Sequence, residues 1–167
     1  MHRKHICWVL VLVLAVFSVA STRKATAQGT STPEERAQWV AITHKLESSP
    51  LDDSVNKQGE TALNQVSNAH DIHVPLCPAL LTEFSGMKYV YAHTITRQYM
   101  LASTAFLIES PDKATDTKAL NLAAVESVLK TYSAILQEKP AAKAKPLDDL
   151  LKKQSQGKLQ DALKQCP

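Results

Sequence analysis

The chain has 167 residues, a hydrophobic fraction of 44%, 19 basic and 16 acidic residues, and a formal net charge of +3. Four basic residues (Arg3, Lys4, Arg23 and Lys24) precede residue 28 and every acidic residue follows it, so residues 28–167 hold 15 basic groups against 16 acidic ones, a net of −1. That balance removes the clustered positive field on which nucleic-acid binding depends, and the length suits one domain.

The first five residues, Met1-His2-Arg3-Lys4-His5, are basic, and the 15 residues from Ile6 to Ala20 carry no charge. A small-residue exit, Ala25-Thr26-Ala27, follows. This is the pattern of a secretory signal peptide over residues 1–27, with Ser18-Val19-Ala20 as a second cleavage site. The apolar run is shorter than the ~20 residues that span a bilayer. Cys7 lies within the run and leaves with it. No Asn-x-Ser/Thr sequon occurs in the chain, which fits a bacterial exported protein, periplasmic or secreted. No membrane insertion is expected after cleavage.

Residues 28–167 read as an α-helical domain. Period-two alternation and Asn-Gly or Asp-Gly turns are lacking, whereas helical periodicity recurs. Thr32-Pro33-Glu34-Glu35 opens a first helix with a capping box and proline at its first position. Trp39, Ile42, Thr43 and Leu46 share its inner face, and Ser48-Ser49-Pro50 ends it. A second helix spans about 52–68 with Leu51, Val55, Ala62, Leu63 and Val66 as its stripe. Gly59 weakens its centre by ~1 kcal/mol relative to alanine. Residues 69–78, with Pro75 and Pro78, form a stiff extended connection.

Pro78 opens a short helix over 79–85. Met87 to Glu109 is then predicted as a central helix, apolar on most sides, with Thr94, Arg97 and Gln98 as its only polar strip. Ser110-Pro111-Asp112 stops it. A fourth main helix runs to about Glu138, with Leu120, Ala124, Val125, Val128, Leu129, Tyr132, Ile135 and Leu136 on one arc. Residues 140–145 are a linker. A last helix from Pro146 turns Leu147, Leu150, Leu151, Leu159, Ala162 and Leu163 inward. Seven lysines between Lys139 and Lys164 read as a solvated face. The expected fold is all-α: a single-domain bundle of four to five helices.

Two cysteines remain beyond the leader. Cys77 sits between Pro75 and Pro78, and Cys166 is the penultimate residue. An even, minimal pair in an exported chain predicts one disulfide, Cys77–Cys166. Without a Cys-x-x-Cys the bond reads as structural.

Chemistry-bearing motifs are few. His70-Asp71-Ile72-His73 is the one local cluster of metal-ligand types, and His93, His44 or Glu83 would have to complete it. Pro75 argues that the helix has ended before the cluster can present two ligands on one turn. His93 and Met100 are haem-ligand types, but lie about 10 Å apart along one helix. Tyr89, Tyr91, Arg97 and Tyr99 are candidate ligand contacts on the central helix. Gly-x-Ser-x-Gly, phosphate-loop and His-Glu-x-x-His motifs are missing. The sequence therefore points to a non-enzymatic exported protein with no cofactor. Its expected partner is a protein or peptide of the envelope or exterior, in an inhibitor-, immunity- or chaperone-like role. The alternative is a small-ligand or metal carrier with a site between residues 69–78 and the central helix.

Overall fold

A computed structural model describes residues 29–166. The leader, both cleavage sites and Cys7 lie outside the described residues, as does Pro167. Seven α-helices and one 3-10 turn make up the described chain, which has no strand: α1 (Pro33–Ser48), α2 (Asp53–Asn68), α3 (Pro78–Gly86), α4 (Ala92–Glu109), the turn Pro111–Lys113, α5 (Thr117–Glu138), α6 (Lys145–Ser155) and α7 (Leu159–Ala162). No helix among the described residues is long and apolar enough to cross a membrane.

The ends of the first helices follow their local chemistry. Thr32 Oγ1 accepts from Glu35 N at 3.1 Å, and Glu35 Oε2 accepts from Thr32 N at 2.8 Å. Both bonds satisfy donors that the first turn leaves unpaired. The buried face of α1 is Trp39, Ile42, Thr43 and Leu46, as its periodicity predicts. Asp52 caps α2 by accepting from Val55 N at 2.8 Å.

Helix α4 is the centre of the bundle. It packs most extensively on α5, then on α1 and α3, with α2 against a further side. A large core joins α3, α4, α5, α6 and α7 around Phe84, Ile95, Tyr99, Leu129, Tyr132 and Leu147. A smaller one lies between α1 and α2 around Trp39, Leu46 and Val55, reached by Leu101 of α4. Each fully buried large apolar side chain contributes about 1.5–3 kcal/mol relative to exposure.

Three features depart from the sequence reading. The central helix starts at Ala92 rather than Met87. Tyr89 instead leaves the helix path and donates its hydroxyl to Ala142 O at 3.1 Å, with its ring edge-on to Tyr91 and Tyr132. Docking of this ring outweighs the helical propensity of five residues. Second, the last helix is two helices. Gly157 at φ +67° breaks it, a conformation open to glycine at little cost. The break brings Leu159 and Leu163 into the large core. Third, Arg97 and Gln98 are 3% and 1% exposed. With α1, α2, α3 and α5 around α4, Arg97 and Gln98 face other helices instead of water, while Thr94 is half-buried.

The disulfide closes the fold. Cys77 and Cys166 are joined with Cα atoms 5.3 Å apart, and both are buried. The bond ties the N-cap of α3 to the residue chain just beyond α7.

Candidate functional site

The His70–His73 segment turns out to fasten the start of the described chain. Both Asp71 carboxylate oxygens accept from Ser31 N at 3.0 Å, and Oδ2 also takes Ser31 Oγ at 3.0 Å and Arg36 Nη2 at 2.7 Å. The Ser31 amide, more than the guanidinium, holds the Asp71 carboxyl down to about 2. His70 N donates to Gly29 O at 2.6 Å. Gly29 has φ +117°, and a Cβ there would lie 3.3 Å from the His70 ring. His73 is exposed. His93 lies on α4 with Nδ1 3.5 Å from Glu60 Oε1, while His44 pairs through Nε2 with Glu109 Oε1 at 3.0 Å. Among the described residues no group of three or more His, Cys, Asp or Glu side chains is placed to hold a metal ion.

The four candidate contacts of the central segment are engaged with other parts of the fold. Tyr99 is fully buried; its hydroxyl accepts from Cys77 N at 2.9 Å and donates to Asn121 Oδ1 at 2.9 Å. Burial raises its pKa. Tyr89 and Tyr91 stack edge to face at 5.5 Å. Desolvation also raises Tyr89 far above the usual phenol range. Arg97 crosses from α4 to α2, where its guanidinium donates to Glu60 Oε1, Asn56 O and Asn56 Oδ1. It fits because residue 59 has no side chain: a Cβ there would be 3.2 Å from Arg97 Nε.

A polar layer lies beside Arg97. Gln98 Nε2 donates to Thr43 O at 3.1 Å and Ser127 Oγ at 2.7 Å, joining α1, α4 and α5. Among the described residues, three buried polar side-chain atoms lack a hydrogen-bond partner: Arg97 Nε, Gln98 Oε1 and Asn121 Nδ2. Buried groups of this kind are uncommon, and each calls for a physical explanation.

Two concave features stand apart from this machinery. The first is a groove along the α1–α2 hairpin. A cleft of about 430 Å³ over Trp39, Ile42 and Ala62 runs into one of about 380 Å³ that reaches Gly29–Ser31. The two share Trp39, Thr61 and Gln65. From Lys57 to Asn68 the α2 wall rises on the order of 16 Å. Five side-chain amides line the groove: Gln38, Gln58, Asn64, Gln65 and Asn68. Trp39 Nε1 donates to Gln65 Oε1 at 2.9 Å, which fixes the indole at the floor. Lys45 and Lys57 flank one end; neither has an ion-pair partner among the described residues. Glu35 stands at the other end.

The second feature is a cavity of about 520 Å³ beside the disulfide, between α5 and the α7 end of the chain. Ala119, Leu122, Leu163 and Cys166 give it apolar walls, and Asn121 lines it as well.

Sequence reasoning placed neither feature. Trp39 was legible as core, but the amides opposite it sit on exposed positions that read as solvated surface. The recurrence of Gln58, Asn64, Gln65 and Asn68 along α2 was the available signal. Asn121 interrupts the apolar arc of α5 between Leu120 and Leu122, and an isolated asparagine in that register marks a buried polar group. No protein-family model, no curated protein and no solved structure matches the chain.

Proposed function

We propose that the chain is an exported, non-catalytic binding protein whose α1–α2 groove receives an extended segment of a protein partner in the cell envelope or outside the cell. The carrying observation is the amide-lined groove. Side-chain amides offer both donors and acceptors, which suits a peptide main chain. A 16 Å wall accommodates roughly five extended residues at ~3.3 Å each. Trp39 and Ile42 supply an apolar floor, and the unpaired Lys45 and Lys57 favour a carboxylate at that end of the segment.

Export is supported by the leader pattern of residues 1–27, and a structural disulfide suits an oxidising compartment. An inhibitor-, immunity- or chaperone-like role is compatible with such a groove. The reading as a non-enzyme is supported by the lack of a recognised catalytic motif in the sequence.

The test is site-specific photocrosslinking in the native host. A photoreactive residue at Gln58 or Thr61 is expected to trap one discrete partner, whereas the same group at Glu126 on α5 traps none. Thr61→Arg should abolish the adduct formed from Gln58. Adducts of equal yield from Glu126, or none from the groove, would remove the basis of the reading. Amino-terminal sequencing of the mature protein should begin at Gln28, or at Ser21 for the second cleavage site.

A further inference from the structure

Charge is divided unevenly along the chain. Residues 28–138 hold eight basic groups against thirteen acidic ones, whereas residues 139–166 hold seven lysines against three aspartates. All seven lysines are exposed, and the fold gathers most of them on one face. Lys145 and Lys152 lie two turns apart on α6, away from its buried Leu147 and Leu150. Lys153 and Lys164 line one cleft between α6 and the α7 end of the chain. Lys158 is the residue directly before α7.

The aspartates of this face are engaged within it. Lys145 Nζ donates to Asp149 Oδ2 at 2.6 Å, and Lys164 Nζ pairs with Asp161 Oδ1 at 2.9 Å. The Lys145 hydrogen bond holds the Asp149 carboxyl below the usual carboxylate range, and the Lys152 and Lys153 charges add to it. For Asp161 the Lys164 hydrogen bond leads, with Lys158 and Lys153 adding. Lys153 therefore acts on both, which makes the five lysines one patch. Asp148 accepts from the Tyr132 hydroxyl at 2.8 Å. Lys139, Lys143, Lys152, Lys153 and Lys158 have no ion-pair partner among the described residues. Glu83 in the cleft and Glu138 beside Lys139 are the acidic groups left to oppose them.

The composition of the face selects the kind of partner. Residues 139–166 contain no arginine for bidentate phosphate contacts and no aromatic ring for base stacking. A protein partner needs an apolar centre, and Leu147, Leu150, Leu159 and Leu163 are all buried in the chain's own core. Exposed lysines without such companions suit a surface whose negative charge is itself diffuse.

We infer that the α6–α7 face adsorbs to the surface of a bilayer rich in anionic lipid, through lysine charge and without insertion. No helix among the described residues is long and apolar enough to cross a membrane. The acid-rich remainder is repelled by the same surface, so the molecule settles with α6 and α7 towards the lipid. Residues 33–68, which form the groove, hold six acidic groups against three basic ones, and this orientation leaves the groove open to its partner. Meeting such a bilayer in the cell rests on export; the adsorption itself does not.

The test is cosedimentation of the full mature chain, disulfide intact, with vesicles of phosphatidylcholine with and without phosphatidylglycerol, at low and high salt. Binding is expected only with phosphatidylglycerol and only at low salt. A lysine near an anionic surface contributes about fivefold, so Lys153→Gln should weaken binding about fivefold. Lys152→Gln, Lys153→Gln and Lys158→Gln together should weaken it on the order of 100-fold. Glutamine matches lysine in helix propensity, and circular dichroism checks that the fold persists. Ser54→Glu makes the same change in net charge on exposed α2 and should leave binding within about twofold. Equal sedimentation with both vesicle types, or binding that survives high salt, would overturn the inference. So would a loss from Ser54→Glu as large as that from Lys153→Gln. Tighter binding to duplex DNA or to polyglutamate than to the vesicles would also overturn it, by assigning the face to another polyanion.

Discussion

Replacing Gly59 by alanine adds one methyl group at the middle of α2. By helix propensity the change stabilises by about 1 kcal/mol. The surroundings oppose it. The new Cβ would lie 2.9 Å from Leu46 Cδ1, 3.2 Å from Arg97 Nε and 3.4 Å from Arg97 Cζ. Carbon atoms pack at about 3.5–4.0 Å, so Leu46 must withdraw by roughly half an ångström or more. Leu46 is 0% exposed, and Arg97 is held by Asn56 and Glu60. Neither has free space to move into. Forcing a methyl into a packed interior costs about 1–3 kcal/mol. The net expectation is a loss of up to about 2 kcal/mol, or a melting point lower by up to roughly 6 °C for a domain of this size. Urea and thermal unfolding followed by circular dichroism measure it. The same substitution in a Leu46→Ala background should be neutral or stabilising, because the offending atom is gone. A higher melting point for the single variant, or the same change in both backgrounds, would refute the reasoning.

Replacing both Cys77 and Cys166 by alanine opens a loop with a sequence separation of 89 residues. It should lower stability by about 4 kcal/mol and speed amide exchange over residues 145–166 more than over α1. The folded Asp71 carboxyl sits at about 2 against an ordinary 3.8. Its stabilising effect is therefore complete above 3.8 and is lost as pH falls toward 2. Amide exchange at Ser31 and Arg36 should quicken across that window, and Asp71→Asn should already be loose at neutral pH. Tyr132→Phe removes the hydroxyl that accepts from Ala144 N at 2.8 Å and donates to Asp148 at 2.8 Å; a buried N–H left alone costs about 1–3 kcal/mol, read from the urea midpoint. The hydrogen bond to Glu109, aided by the nearby Glu47 charge, raises the His44 pKa above 6.5 against a smaller opposing effect of burial. That contact stabilises fully below 6.5 and is lost as pH rises through the folded value, so His44→Gln should flatten the stability profile there.

The elements that sequence reasoning located well are those decided by neighbours in the chain. The Thr32–Glu35 box, the Pro78 start of α3 and the inner face of α1 depend on residues three or four positions apart, and each appears where its spacing puts it. The cysteine pairing was legible because only two cysteines, Cys77 and Cys166, follow residue 27. What local pattern missed depends on distant partners. The delay of α4 to Ala92 comes from Tyr89 reaching Ala142, 53 residues away. Arg97 reads as polar surface until α2 is laid over it, and nothing near residue 97 announces Asn56 or Glu60. The groove needs two helices to exist, so neither half signals it alone. Asp71 and His70 have the residue types of a metal site. Their use in gripping Ser31 and Gly29 becomes visible only once residues 29–31 are laid against them.

The bond between Cys77 and Cys166 has a topological consequence. It encloses α3 to α7 in a covalent ring and leaves α1 and α2 as an appendage outside it. A protease nick in the exposed stretch Glu138–Ala141 would cut the ring once, and the two pieces would still migrate together on a non-reducing gel. A nick at exposed Pro75 would instead leave the appendage held by packing alone. The surface proposed for partner recognition thus sits on a part of the described chain that a single cleavage can shed, while the part beside the disulfide survives the same insult intact.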